Sequence, residues 1–243
     1  MTRTSTAWKQ LSDRILTVEQ IREVDRVAVE RYRMNSLVLM ENAAIGCVKW
    51  LESRFPDGGK AVVLCGRGNN GGDGLAITRH LRVLGWTCHV ALLGPAKKMS
   101  ADARANLEIL TAGGNRDLLP WHEGLQDRAQ SLTLEKWIAS ADVIMDAMLG
   151  TGASGEPRAP MDQWIQLANQ ATAQRVAIDI PTGWDAATGE LSENTFEADA
   201  TLTFVARKPA MALPAAAKLL GEIVVLPIGI SEEQIVELLA SID

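Results

Sequence analysis

Three cysteines in 243 residues leave little room for disulfide chemistry. Cys47, Cys65 and Cys88 lie in apolar runs without C-x-x-C spacing. An odd count without metal spacing implies buried, reduced thiols and a cytoplasmic setting. The three histidines, His80, His89 and His122, are scattered, so no His/Cys cluster offers a zinc site. No apolar run approaches the length that spans a bilayer. The N-terminal MTRTSTAWKQ lacks the apolar core of a secretory signal. A net charge of -6 argues against a general nucleic-acid surface, which needs a basic face. The chain also has no internal repeat and no low-complexity segment.

What remains is a chain with a globular balance, 47% hydrophobic and 22% charged, long enough for one large domain. Residues 1–16 read as a loose arm and 17–243 as a single domain. Thr17 and Gln20 fit a capping box, and Val18, Ile21, Val24, Val27 and Ala28 recur at helical spacing after it. A second helix over 36–52 is apolar nearly all round, so it is either buried or a subunit contact, with 37–44 the candidate dimer face. Strands and helices then alternate. Strands are expected over 61–65, 86–93, 118–122, 143–148, 176–180, 198–205 and 223–226. Helices are expected over 72–84, 100–112, 134–140, 161–172 and 231–240. This alternation predicts an α/β fold with a mostly parallel central sheet covered on both faces.

Ligands of such sheets bind beyond the carboxyl ends of the strands. Three loops leave strand ends there: CGRGNNGGDG, DAMLGTGASGEPRAP and DIPTGWDAATGE. The first holds five glycines between 66 and 74, more than a tight turn requires. Its G-x-G-x-x-G spacing suggests a dinucleotide fold, but the next strand ends Ala91-Leu92-Leu93-Gly94 with no acid for a ribose. No Gly-Lys-Ser/Thr follows either, which excludes a P-loop. Asp73 at the mouth of the helix reads as a cap or as an acceptor for sugar hydroxyls. Asp146 and Asp179 end two strands, beside Thr151, Ser154 and Thr182. Ser154 has no G-x-S-x-G context, so a hydrolase triad is not indicated. Oxygen-rich loops with few carboxylates suit a hard monovalent cation.

In their order and spacing, GRGNNGGDGLAITRHL, DAMLGTG and IDIPTGWDAATGE resemble the YjeF N-terminal domain, the NAD(P)H-hydrate epimerases. The early segment SLVLMENAA is similar as well. The resemblance covers nearly the whole chain beyond the arm. It implies a Rossmann-like three-layer sandwich, a homodimer and one potassium ion per subunit. The implied activity interconverts the R and S epimers at C6 of hydrated NADH or NADPH, so that a separate dehydratase can restore the cofactor. The resemblance implies nucleotide contacts from Asn69, Asn70, Gly71, Gly72 and Asp73. It implies phosphate contacts from Gly150, Thr151, Gly152, Ala153, Ser154, Gly155 and Glu156. Potassium ligands would be Asn70, Asp146 and Thr182, and Asp179 would meet the reacting ring as the catalytic residue. Thr182 stands where the family commonly has serine. In TFVARKPAM the family more often places glycine and proline before the lysine, although Lys208 still aligns and would approach the ligand. The same domain also occurs as a non-catalytic dimerisation module in an mRNA-decapping scaffold, so a binding or scaffold role remains the alternative.

The chemistry at C6 is that of a hemiaminal. The ring nitrogen expels the hydroxyl as water once an acid protonates it, and the planar iminium accepts water on either face. A carboxyl placed there serves as acid and then as base. Asp179 is the expected group, with burial raising its pKa so that it starts protonated.

Overall fold

The computed structural model describes residues 14–112, 118–120, 128–153 and 155–240. Seven strands form one sheet: β1 (Lys60–Cys65), β2 (Thr87–Leu92), β3 (Leu118–Pro120), β4 (Val143–Ala147), β5 (Gln174–Ile178), β6 (Ala200–Phe204) and β7 (Glu222–Leu226). Their order is β3-β2-β1-β4-β5-β6-β7, and every pairing is parallel. The chain runs outward from β1 to β3 and returns to β4 on the other side of β1. That reversal is the switch point where open parallel sheets bind ligands.

Period-two alternation divides the strand side chains between two cores. Ala61, Val63 and Cys65 of β1 pack with helices α2 (Ser36–Arg54), α3 (Asn69–Val83) and α4 (Ala101–Ala112). Val62 and Leu64 pack on the other face with α5 (Arg128–Ala139) and α6 (Met161–Asn169). The result is the expected three-layer α/β sandwich, and each fully buried aliphatic side chain contributes about 1.5–3 kcal/mol to it. A third cluster joins α1 (Val18–Glu30) and α8 (Glu232–Leu239) to Val205, Ala206 and Ile228. A short helix α7 (Ala217–Leu220) precedes β7.

Thr17 opens α1 with the expected reciprocal cap, its hydroxyl accepting from the Gln20 backbone N–H. Just before it, Leu16 donates its backbone N–H to Arg207 O at 2.9 Å, and Arg207 donates back to Arg14 O at 3.1 Å. Residues 14–16 are therefore docked rather than loose. In α2, Leu39, Met40, Ala43 and Ala44 are buried within the chain, and Val38 is the exposed member of the segment read as a dimer face. The third strand was expected to reach His122, which lies outside the described residues. Two helix starts come earlier than expected: α5 begins at Arg128 rather than 134, and α3 at Asn69 rather than 72. The second shift changes the site.

Candidate active site

β1, β4 and β5 are neighbours, so the three oxygen-rich loops leave one edge of the sheet side by side. A cavity of about 1060 Å³ opens above them. Its size is at the upper end for small-molecule sites and suits a dinucleotide. Asn69, Asn70, Asp73, Gly150, Thr151, Gly152, Ala153 and Asp179 all line it. Gly155 and Glu156 face a smaller adjoining cleft, where Glu156 accepts from the Glu193 backbone N–H. Ser154 lies outside the described residues.

Gly71 and Gly72 serve the backbone rather than the cavity wall. A Cβ on Gly71 would stand 2.1 Å from Gly66 O, and one on Gly72 would strike the Met40 side chain. These close approaches let α3 begin three residues early, with Gly68 at its N-cap and no side-chain cap. Asp73 thus sits inside the helix and does not cap it. It is buried on the cavity wall. Burial and the charges of Asp179, Asp25 and Asp102 hold its carboxyl well above the usual range.

Asp179 follows β5 with φ at +67°. This left-handed conformation is uncommon outside glycine, although aspartate tolerates it better than most residues. It aims the carboxylate at the cavity floor. One oxygen accepts the Thr151 N–H at 3.0 Å and the other accepts from Lys208 Nζ at 2.7 Å. Lys208 has no solvent exposure and also donates to Thr203 Oγ1 and to Phe204 O. Burial alone would raise the Asp179 pKa, but the Lys208 ammonium and the Thr151 hydrogen bonds outweigh it and hold the group below the usual value. The expectation of a protonated start is reversed, because the close pairing with Lys208 arises only when the chain folds.

Beneath the cavity, Asp146 is fully buried. Its carboxylate accepts from Thr182 N at 2.7 Å, Thr182 Oγ1 at 2.8 Å and Met148 N at 3.1 Å. Burial raises its pKa to about 6 despite these donors. Thr182 Oγ1 accepts from Leu149 N, and Leu149 O accepts from Asn70 Nδ2 at 3.0 Å. Leu149 therefore ties Asn70 to the Thr182–Asp146 pair. Asn70 Oδ1 is buried without a hydrogen-bond donor. An orphaned amide oxygen near a buried carboxylate is a donor set for a hard monovalent cation.

The sequence reading missed the contribution of α1. Arg22 and Asp25 line the cavity, and Arg22 donates to Thr151 O at 3.4 Å. Both sit beside the apolar stripe of their helix, where side chains usually meet water.

Residues 36–210 match the model of the YjeF-related protein N-terminus family. The chain belongs to that family. Within it, the chain is 36% identical to an NAD(P)H-hydrate epimerase of Rhodopirellula baltica, over 90% of this chain and 85% of the relative. It is also 36% identical to an NAD(P)H-hydrate epimerase of Pirellula staleyi, over 89% and 93%. A bifunctional NAD(P)H-hydrate repair enzyme of Pyrobaculum aerophilum is 38% identical over 81% of this chain, which spans 38% of that protein. The crystal structure of yeast YNL200c superposes with a TM-score of 0.69 at 22% identity, covering 82% of this chain and 83% of that one. That likeness shows the shared fold. The YjeF-related match begins at the first residue of α2, so α1, with Arg22 and Asp25, lies outside it.

Proposed function

We propose that this chain is an NAD(P)H-hydrate epimerase, an isomerase that interconverts the C6 epimers of hydrated NADH or NADPH. The names of the relatives that it matches over most of its length support this reading. The observation that carries it is the Lys208-paired Asp179 carboxylate on the wall of a dinucleotide-sized cavity. In the hydrate, the ring nitrogen expels the C6 hydroxyl as water and leaves a planar iminium. An ionised Asp179 takes the proton from the water that adds back, acting as general base. The backbone N–H groups around Gly150 and Gly152 and at the start of α3 suit the diphosphate. Asp73 suits a sugar hydroxyl.

Asn70, Asp146 and Thr182 would hold one potassium ion per subunit. The buried, unpartnered Asn70 Oδ1 and the buried Asp146 carboxylate, which has three hydrogen-bond donors but no ion pair among the described residues, support that fit. The ion would offset carboxylate charge near the diphosphate and fix the loops around Leu149. The reading includes a homodimer, and a dehydratase that consumes one epimer. Relatives named bifunctional repair enzymes, of which this chain spans 38% and 41%, support the functional link.

The test starts from a single purified epimer of NADH hydrate in potassium buffer and follows the second epimer by chromatography. Wild type should accelerate exchange far above the uncatalysed rate, and Asp179→Ala should abolish the acceleration. A wild type that binds the hydrate without exchanging it would leave a binding module. A wild type that does not bind it would leave a scaffold.

A further inference from the structure

We propose that Asp25 of α1 is a second catalytic carboxyl, which gives its proton to the departing C6 hydroxyl while Asp179 receives the proton of the incoming water. This rests on the epimerase reading and assigns the acid that reading lacks. Epimerisation needs water to leave one face of the ring and return to the other. With Asp179 held as a carboxylate by Lys208, the site requires a separate proton donor.

The geometry supplies one. Asp25 and Asp179 line the same cavity from different elements, α1 and the end of β5. Residues 14–16 fasten the start of α1 to the backbone of Arg207, the neighbour of Lys208. Ile21, Val24 and Ala28 anchor the helix on Val205 and Ala206. Arg22, one turn before Asp25, bonds Thr151 O, next to the N–H that holds Asp179. Asp25 itself is exposed on α1 where the helix borders the cavity, and it has no hydrogen-bond or ion-pair partner among the described residues. The charges of Asp179 and Lys208 act on it, and the other charged groups that line the cavity are Arg22 on its own helix, Arg67 and Asp73 from the glycine loop and α3, and Asp102 from α4. Desolvation and the Asp179 charge, partly offset by Lys208, push its carboxyl up to about 6. Asp73 feels the charges of Asp179, Asp25 and Asp102.

The step balances. The Asp25 O–H bond and the C6–O bond break, the nitrogen lone pair forms the iminium, and water leaves. A water molecule on the Asp179 side bonds to C6, the electron pair returns to nitrogen, and Asp179 takes the released proton. One proton has moved from Asp25 to Asp179, and exchange with solvent resets the pair.

The experiment measures epimer exchange by wild type, Asp25→Asn and Asp25→Ala, with thermal midpoints as a check on folding. Asp25→Asn should lower kcat by about 10²–10⁴-fold with little change in KM, the range for loss of a positioned acid. Wild-type kcat/KM should fall as pH rises above about 6, and that limb should be missing in the variant. Formate should restore part of the exchange to Asp25→Ala, which decides the matter if Asp25→Asn folds poorly. Wild-type kcat in Asp25→Asn, a change confined to KM, or no rescue by formate would overturn the role. An inert wild type would instead defeat the epimerase reading and this role with it, so the two failures are distinguishable.

Discussion

Lys208, without solvent exposure, donates to an Asp179 carboxylate oxygen at 2.7 Å, and the two are 29 residues apart in the chain. The ammonium is fully buried and the carboxylate mostly so, each with the other as its counter-ion. Removing one partner leaves the other uncompensated, which typically costs about 3–5 kcal/mol. Lys208→Met and Asp179→Asn should each destabilise strongly. Asparagine keeps the tolerance for positive φ that this position requires. The double variant should lose less than the sum of the singles. Urea midpoints around this cycle test it, and additive losses would mean that the pair is not coupled.

Asp25 gives a pH-dependent stability of the opposite kind. Its folded pKa is raised to about 6, above the unfolded value of about 3.9. The folded state therefore binds the proton more tightly, and this contribution is complete below the unfolded pKa. It is lost as pH rises through about 6. Asp25→Asn should accordingly have a higher thermal midpoint than wild type at pH 8 and an equal one near pH 3. Equal midpoints at both pH values would show that Asp25 titrates normally. A site residue that lowers stability is the usual trade between fold and function.

The parallel sheet could be read from the sequence because buried strands alternate with periodic helices, and the loops after β1, β4 and β5 carried their chemistry in plain view. Asp179 was legible because it stands directly after an apolar run. Its protonation state was not, since that depends on Lys208 arriving from beyond β6. Asp25 was hidden for a different reason. It borders the apolar stripe formed by Ile21, Val24 and Ala28 and is exposed there, so in sequence it reads as an ordinary surface carboxylate. Asp73 was misplaced because a glycine pair reads as loop. Here Gly71 and Gly72 pack so closely against Gly66 O and Met40 that they belong to the helix.

The glycines of the first loop should separate by substitution. A Cβ on Gly66 would lie 1.8 Å from Met148 O, and backbone cannot yield as a side-chain tip can. Gly66→Ala should cost at least about 1–3 kcal/mol, the range for overpacking. Gly68 has φ of -84° and nothing within 4 Å of a Cβ, so Gly68→Ala should cost under about 1 kcal/mol, the N-cap preference alone. At Gly150 a Cβ would stand 3.0 Å from Asp179 Oδ2. Gly150→Ala should therefore reduce kcat more than it lowers the midpoint. Calorimetry beside the exchange assay gives both quantities, and a Gly68→Ala loss equal to that of Gly66→Ala would contradict the loop geometry.

The buried oxygens of Asn70 and Asp146 predict a specific ion effect. A ligand that binds only the folded state stabilises it by about 2.7 kcal/mol at a concentration a hundredfold above its Kd. The thermal midpoint should therefore rise in potassium chloride over tetramethylammonium chloride at equal ionic strength, which removes general screening as the cause. Asn70→Ala deletes the orphaned acceptor. Thr182→Val deletes the hydroxyl that joins Leu149 to Asp146. Both should abolish the difference between the two salts, while Thr182→Ser, which keeps the hydroxyl, should retain it. Asp146→Asn removes the only formal charge among the three, so it should weaken the ion most. It also places an amide where Thr182 N and Met148 N now donate, so its own midpoint should fall in both salts. A wild-type midpoint that is the same in the two salts would show that the buried carboxylate is balanced by its three donors alone.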